Sequence, residues 1–313
     1  MIYLPRFQDI ILPTPVARMA GLFRLRVHKP GIGTRIDTGW FPNLITKNGL
    51  NEYPVAANIY NKFFVGSGST APNENDTSLE QLVAETNDFG GDVTGAQSEP
   101  PYYSYFQRTR RFQAGEAAGN LAEVGVGDAA NNLFSRALIL DENGDPTTIT
   151  VLADEVLDVS YEIRLYPPTD DLLKEVTISG QLHDTITRAS RVTSSSFWAP
   201  FGDFDNSVSY NQAYSGDIQD ITSRPAGSGY HSSSVAFQAY SADSFERVNA
   251  VTWGLNNGNV GASGIRSIMW NERNANGSYQ TQYEPRILKD DTKVLTLNFK
   301  TAWARRVLLP GEY

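Results

Sequence analysis

The chain has 313 residues, of which 40% are hydrophobic, 11% aromatic and only 19% charged, which is enough apolar surface for a core and excludes a globally disordered chain. A formal charge of −9 and an isoelectric point near 4.9 exclude binding driven by a nucleic-acid backbone, which needs Lys and Arg to displace counterions, and favour a basic partner surface. With no cysteine, disulfides, thiolate metal sites and cysteine nucleophiles are excluded as well.

The start, MIYLPRFQDIILPTPVARMAG, lacks the basic flank and long apolar run of a signal peptide, and no stretch approaches the roughly 18 apolar residues of a membrane span. Synthesis and first folding in the cytoplasm, without membrane insertion, are expected. Phe23, Leu25 and Val27 alternate with Arg24, Arg26 and His28, and the run Lys29-Pro30-Gly31-Ile32-Gly33 should turn this strand back toward Trp40. A short helix is expected over 43–47, stopped by Asn48-Gly49. A second should start at Thr77, where Thr77 and Glu80 have capping-box spacing and Leu79, Leu82 and Val83 share a face.

Between Tyr102 and Phe112, aromatics interleave with Arg108, Arg110 and Arg111, a pattern that suits single-stranded nucleic acid but in an acidic chain reads better as a solvated strand face or subunit interface. Residues 133–140 and 146–152 flank Asp141-Glu142-Asn143-Gly144-Asp145 and read as a hairpin. A calcium loop is disfavoured there, because Leu152 holds the place of its bidentate glutamate. Leu157, Val159, Tyr161, Ile163 and Leu165 alternate with Asp158, Ser160, Glu162 and Arg164, which predicts a strand with one buried and one wet face. Pro167-Pro168 and the acidic turn after them mark the best boundary, giving domains at 1–168 and 169–313. A new strand pattern opens at Val176. From about Thr193 to Gln282 the Ser-, Asn-, Gly- and Tyr-rich composition predicts long loops between short strands, and Val294 to Trp303 closes the chain as a strand free to pair with another subunit. The fold class expected is mainly β, as two β-sandwich-like domains with a few short helices.

No nucleophile elbow, phosphate loop or dinucleotide fingerprint occurs. His28, His183 and His231 lack metal-ligand spacing, so no metal, no cofactor and no catalytic residue is expected. Asp203 and Asp205, set among aromatics, are the carboxylates that a polysaccharide depolymerase would use, but side-chain capping of turns over a core of those aromatics is the preferred reading. Trp198, Phe201, Trp253 and Trp270 are the candidate binding residues, as exposed loop aromatics facing a receptor or host surface polysaccharide. They serve a sister-subunit contact equally well.

Gly39-Trp40-Phe41-Pro42-Asn43-Leu44-Ile45-Thr46 with Asn48-Gly49-Leu50 resembles a segment near the start of many structural proteins of tailed bacteriophages. Successive blocks resemble the same proteins in order. They are Val65-Gly66-Ser67-Gly68-Ser69-Thr70-Ala71-Pro72, the segment from Thr77, Arg110-Arg111-Phe112, 119–127, 133–138, 146–150 and 164–168. The resemblance covers about residues 20–168. It implies a virion component of the tail, its tip, baseplate or fibres, whose partners are other virion proteins and copies of itself. It also implies an attachment or scaffold module carrying a more variable distal module for host attachment.

Overall fold

The computed structural model describes residues 12, 14–54, 60–200, 211–272 and 277–313. Strands make up 52% of it and helix 2%, and they form several sheets, so the protein is mainly β. The chain forms two compact units.

The first unit comprises Met19–Gly95, Tyr105–Leu165 and Ala304–Tyr313. Apart from a few end residues, its elements are β1 (Val16–Lys29), β2 (Gly33–Asp37), β3 (Phe41–Pro42), β4 (Leu44–Ile45), α1 (Lys47–Glu52), β5 (Lys62–Gly66), β6 (Leu82–Thr86) and β7 (Phe89–Ala96). There follow β8 (Ser104–Phe112), β9 (Gly119–Leu121), β10 (Glu123–Ala129), β11 (Asn132–Leu138), β12 (Ile149–Val151) and β13 (Val156–Tyr166). One sheet contains the run β1-β13-β8-β7, with β2 and β3 also paired to β1, and a second sheet runs β4-β11-β10-β5-β6. Their inner faces meet through aromatic rings: Tyr161 of β13 lies 5.0 Å from Phe23 of β1 and 6.4 Å from Phe134 of β11, with Tyr60 packed on both Phe134 and Tyr161.

The β1–β2 hairpin turns at Pro30-Gly31-Ile32 as its sequence predicts, with Val27 opposite Ile36. Four local expectations give way to tertiary contacts. The short helix begins at Lys47, just where the sequence suggests that it ends. Thr46 caps it by accepting from Gly49 N at 2.8 Å, and position 49 is glycine because a Cβ there would collide with the Phe134 carbonyl. No helix starts at Thr77. The Glu80 carboxylate that would close a capping box instead accepts from the backbone N–H groups of Ser69 and Thr70, at 2.7 and 2.8 Å, while Leu79 packs with Phe64 and Leu133.

The expected wet face of β13 is buried, because side chains of the neighbouring β8 lie over it. Asp158 accepts from Arg111 Nε and Nη2, each at 2.7 Å, and Ser160 bonds Thr109. Of the arginines of β8, Arg111 is exposed as expected, but Arg108 grips Asp92 through Nε and Nη2 and Arg110 is buried, so they form no solvated row. The Asp141–Asp145 turn forms, with Asp141 Oδ1 accepting from Asn143 N and Asp145 N. The strands beside it then diverge, β11 to β10 and β4, β12 to β9.

The second unit comprises Met1–Arg18, Ala96–Ser104 and Tyr166–Trp303. Its strands are β14 (Leu172–Ile178), β15 (Gln181–Ala189), β16 (Gln212–Tyr214), β17 (Gly229–His231), β18 (Ser234–Phe237), β19 (Glu246–Trp253), β20 (Ile265–Glu272), β21 (Gly277–Ile287) and β22 (Leu295–Arg305). One sheet runs β14-β15-β21-β20-β16-β17, and β18-β19-β22 is a further run of paired strands. Trp270 of β20 stacks at 4.6 Å on Tyr279 and at 4.6 Å on Phe299, so the two runs face each other across a buried indole.

Two further expectations change here. Contacts do not divide the chain at 168, because the second unit recruits residues from the start of the chain and from 96–104. Nor is β22 a free edge. It pairs with β19 along its length, and on its other side Leu12 N donates to the Asn298 carbonyl at 3.2 Å and Ala302 N to the Pro15 carbonyl at 3.0 Å.

Candidate functional site

Three of the four aromatics singled out by sequence are core. Trp198, Trp253 and Trp270 have no exposed surface, and each indole N–H is used internally, donating to the Ser190 carbonyl (2.8 Å), the Tyr230 carbonyl (3.3 Å) and Thr281 Oγ1 (3.0 Å). An aromatic platform for a glycan needs exposed rings, so these three do not provide one. Phe201 lies outside the described residues, as do Asp203 and Asp205. His183 is buried with Nδ1 against the Pro285 carbonyl. Among the described residues, no group of three or more His, Cys, Asp or Glu is placed to hold a metal ion. No helix there is long and apolar enough to cross a membrane.

A recess of about 500 Å³ lies in the first unit. It opens where the chain crosses from one sheet to the other: β3 pairs with β1 through Phe41 and Pro42, and only two residues later β4 pairs with β11 through Leu44 and Ile45. Met19, Leu44, Leu138, Leu140, Val307 and Leu308 supply much of its wall. Gly21 at its floor is required by close packing, since a Cβ would sit 2.5 Å from Asn43 Oδ1 and 2.6 Å from the Tyr161 hydroxyl.

One side of the recess is held by a buried ionic network. Arg136, on β11, donates from Nε to Glu123 Oε2 at 2.9 Å, from Nη1 to Asp76 Oδ2 at 2.6 Å and from Nη2 to the Thr70 carbonyl at 3.1 Å. Glu123 has no exposed surface and also accepts from the backbone N–H groups of Gly68, Gln81 and Glu80. With both ions saturated by hydrogen bonds, the charges are tolerated inside the sheet, and the loop from 67 to 81 is pinned to it. The other side is braced by Arg305, which donates to the Ile45 carbonyl and to Glu74, and by Arg306, which pairs with Glu312.

These residues make a rigid, mostly apolar cradle. Sequence reasoning missed it because its walls come from five separated segments, although Gly68, Ser69, Thr70, Glu80, Glu123 and Arg136 all stand in or beside blocks that attract notice as an ordered series. No family model, no curated protein and no solved structure matches the chain.

Proposed function

We propose that this protein is a structural component of a tailed-bacteriophage virion, a tail, baseplate or fibre part, that works through protein–protein surfaces and catalyses nothing. The observation that supports this reading most is the convergence of the ordered blocks between residues 20 and 168. In the structure they are not scattered loops, since Gly68 and Thr70, Glu80, Glu123 and Arg136 meet in the network that stiffens the apolar recess. A recess of about 500 Å³ with aliphatic walls and saturated ionic braces suits capture of an apolar projection from a neighbouring protein.

Quantitative mass spectrometry of purified particles from the phage that encodes the chain tests the assignment. Several copies per particle are expected, and expression in the infected cell without incorporation overturns it. Leu138→Glu, which puts a carboxylate into the recess wall, should cut incorporation sharply while the purified variant still melts cooperatively.

A further inference from the structure

We infer that the outer edge of β14 is a docking strand for an extended segment of a different protein, a segment carrying a lysine or arginine flanked at alternate positions by apolar side chains. The β14–β15 hairpin closes through Ser179-Gly180, whose φ values of 53° and 81° are those of a two-residue turn with both positions left-handed. Such a turn makes Ile178 and Gln181 a mutually hydrogen-bonded pair, and the alternation that follows assigns the backbone groups of Val176 and Lys174 to β15 as well. The N–H and C=O groups of Leu173, Glu175 and Thr177 therefore point away from the hairpin. β14 ends its sheet among the described residues, so these groups form an open ladder.

The side chains of the same three residues stand on the exposed face. Leu173 is 74% exposed, and Leu182, opposite Thr177, is 54% exposed. Between these two leucines lies a row of carboxylates in register across three strands: Glu175 opposite Asp184, and Asp184 opposite Glu284. Arg266 neutralises Glu284, but neither Glu175 nor Asp184 has a cationic partner among the described residues. Like charges directly opposite each other on a sheet oppose the fold. A basic residue from outside relieves that repulsion, while the two leucines receive the apolar neighbours on either side of it.

A second copy of this chain fits poorly. The two-fold antiparallel register that engages Leu173, Glu175 and Thr177 together sets Glu175 against Glu175 of the copy. A basic segment of a different protein has no such penalty.

The inference deepens the assembly reading by giving this unit a partner chemistry, and it is tested apart from it. Fluorescence anisotropy of the full chain with labelled Ser-Ile-Ser-Lys-Ser-Ile-Ser, and with the same peptide bearing glutamate for lysine, reads the docking directly. The lysine peptide is expected to bind and the glutamate peptide to bind at least about tenfold more weakly. Glu175→Lys should reverse that order, an inversion that a misfolded variant does not produce. Thr177→Pro deletes an outward N–H without touching the β15 ladder and should weaken both peptides. Binding indifferent to charge and to the proline overturns the inference, and so does self-association through this edge in sedimentation. Charge-dependent binding by a protein that is absent from particles overturns the virion reading alone, and particle incorporation without peptide binding overturns this inference alone.

Discussion

Trp270 and Arg136 show the two ways in which a single buried side chain matters. Trp270 fills the second unit's core between Tyr279 and Phe299, so Trp270→Ala leaves a cavity and should lower the unfolding free energy by about 3–5 kcal/mol in urea titration. Were it a glycan platform, stability would be almost unchanged. Arg136→Leu leaves Glu123 and Asp76 without their cation in a buried setting and should cost about 3–5 kcal/mol. Acid sensitivity follows from similar pairs. At Asp158 burial works against the charge, but the Arg111 pair outweighs it and holds the carboxyl below the ordinary carboxylate range. Arg35 does the same for Glu155, and the Thr292 hydroxyl holds Asp290 down to about 2. Carboxyls depressed in the folded state stabilise it fully above their unfolded values near 4, and that contribution is lost as pH falls through the folded values. Stability should hold from neutral pH down to about 5 and drop between about 4 and 2, less steeply in Asp158→Asn than in the parent chain.

At the level of elements, the β14–β15 turn gives a local test. Gly180→Ala forces a Cβ into a left-handed position and should cost about 1 kcal/mol, whereas Ser179→Asn suits its positive φ and should gain a few tenths. Strands whose pattern came from burial on one face were legible. The β1–β2 hairpin and the alternation of Leu295, Leu297 and Phe299 in β22 read directly from the sequence. β13 was found but misjudged, because Asp158 and Glu162 look solvated until Arg111 and Arg164 are brought over them by β8 and by β13's own alternation. The helix expected at Thr77 failed for a related reason. Glu80 is a capping residue by spacing, but its carboxylate is taken by Ser69 and Thr70, a partnership that separations of eleven and ten residues hide. The recess was illegible, since aliphatic residues from five segments leave no local signature. The tryptophans were legible as important and misplaced as exposed, because indole N–H groups are satisfied as readily by a buried carbonyl as by water.

At the scale of the whole molecule, a charge of −9 predicts that association with a basic partner weakens as salt is raised, measurable as a falling on-rate in surface plasmon resonance between low and physiological ionic strength. The division into units also governs what pieces of the chain are worth making. A fragment cut at 168 removes the last stretch of one unit and leaves the other without residues from the start of the chain and from 96–104.

That threading has a consequence for synthesis on the ribosome. Residues 304–313 belong to the first unit, where Arg306 N donates to the Met19 carbonyl at 2.6 Å and Arg164 Nη1 to the Glu312 carbonyl at 2.6 Å. A nascent chain has therefore made nearly all of both units before it can complete the earlier one. Folding of the first unit is expected to wait for residues 304–313, and products terminated before them should be protease-sensitive rather than half-folded.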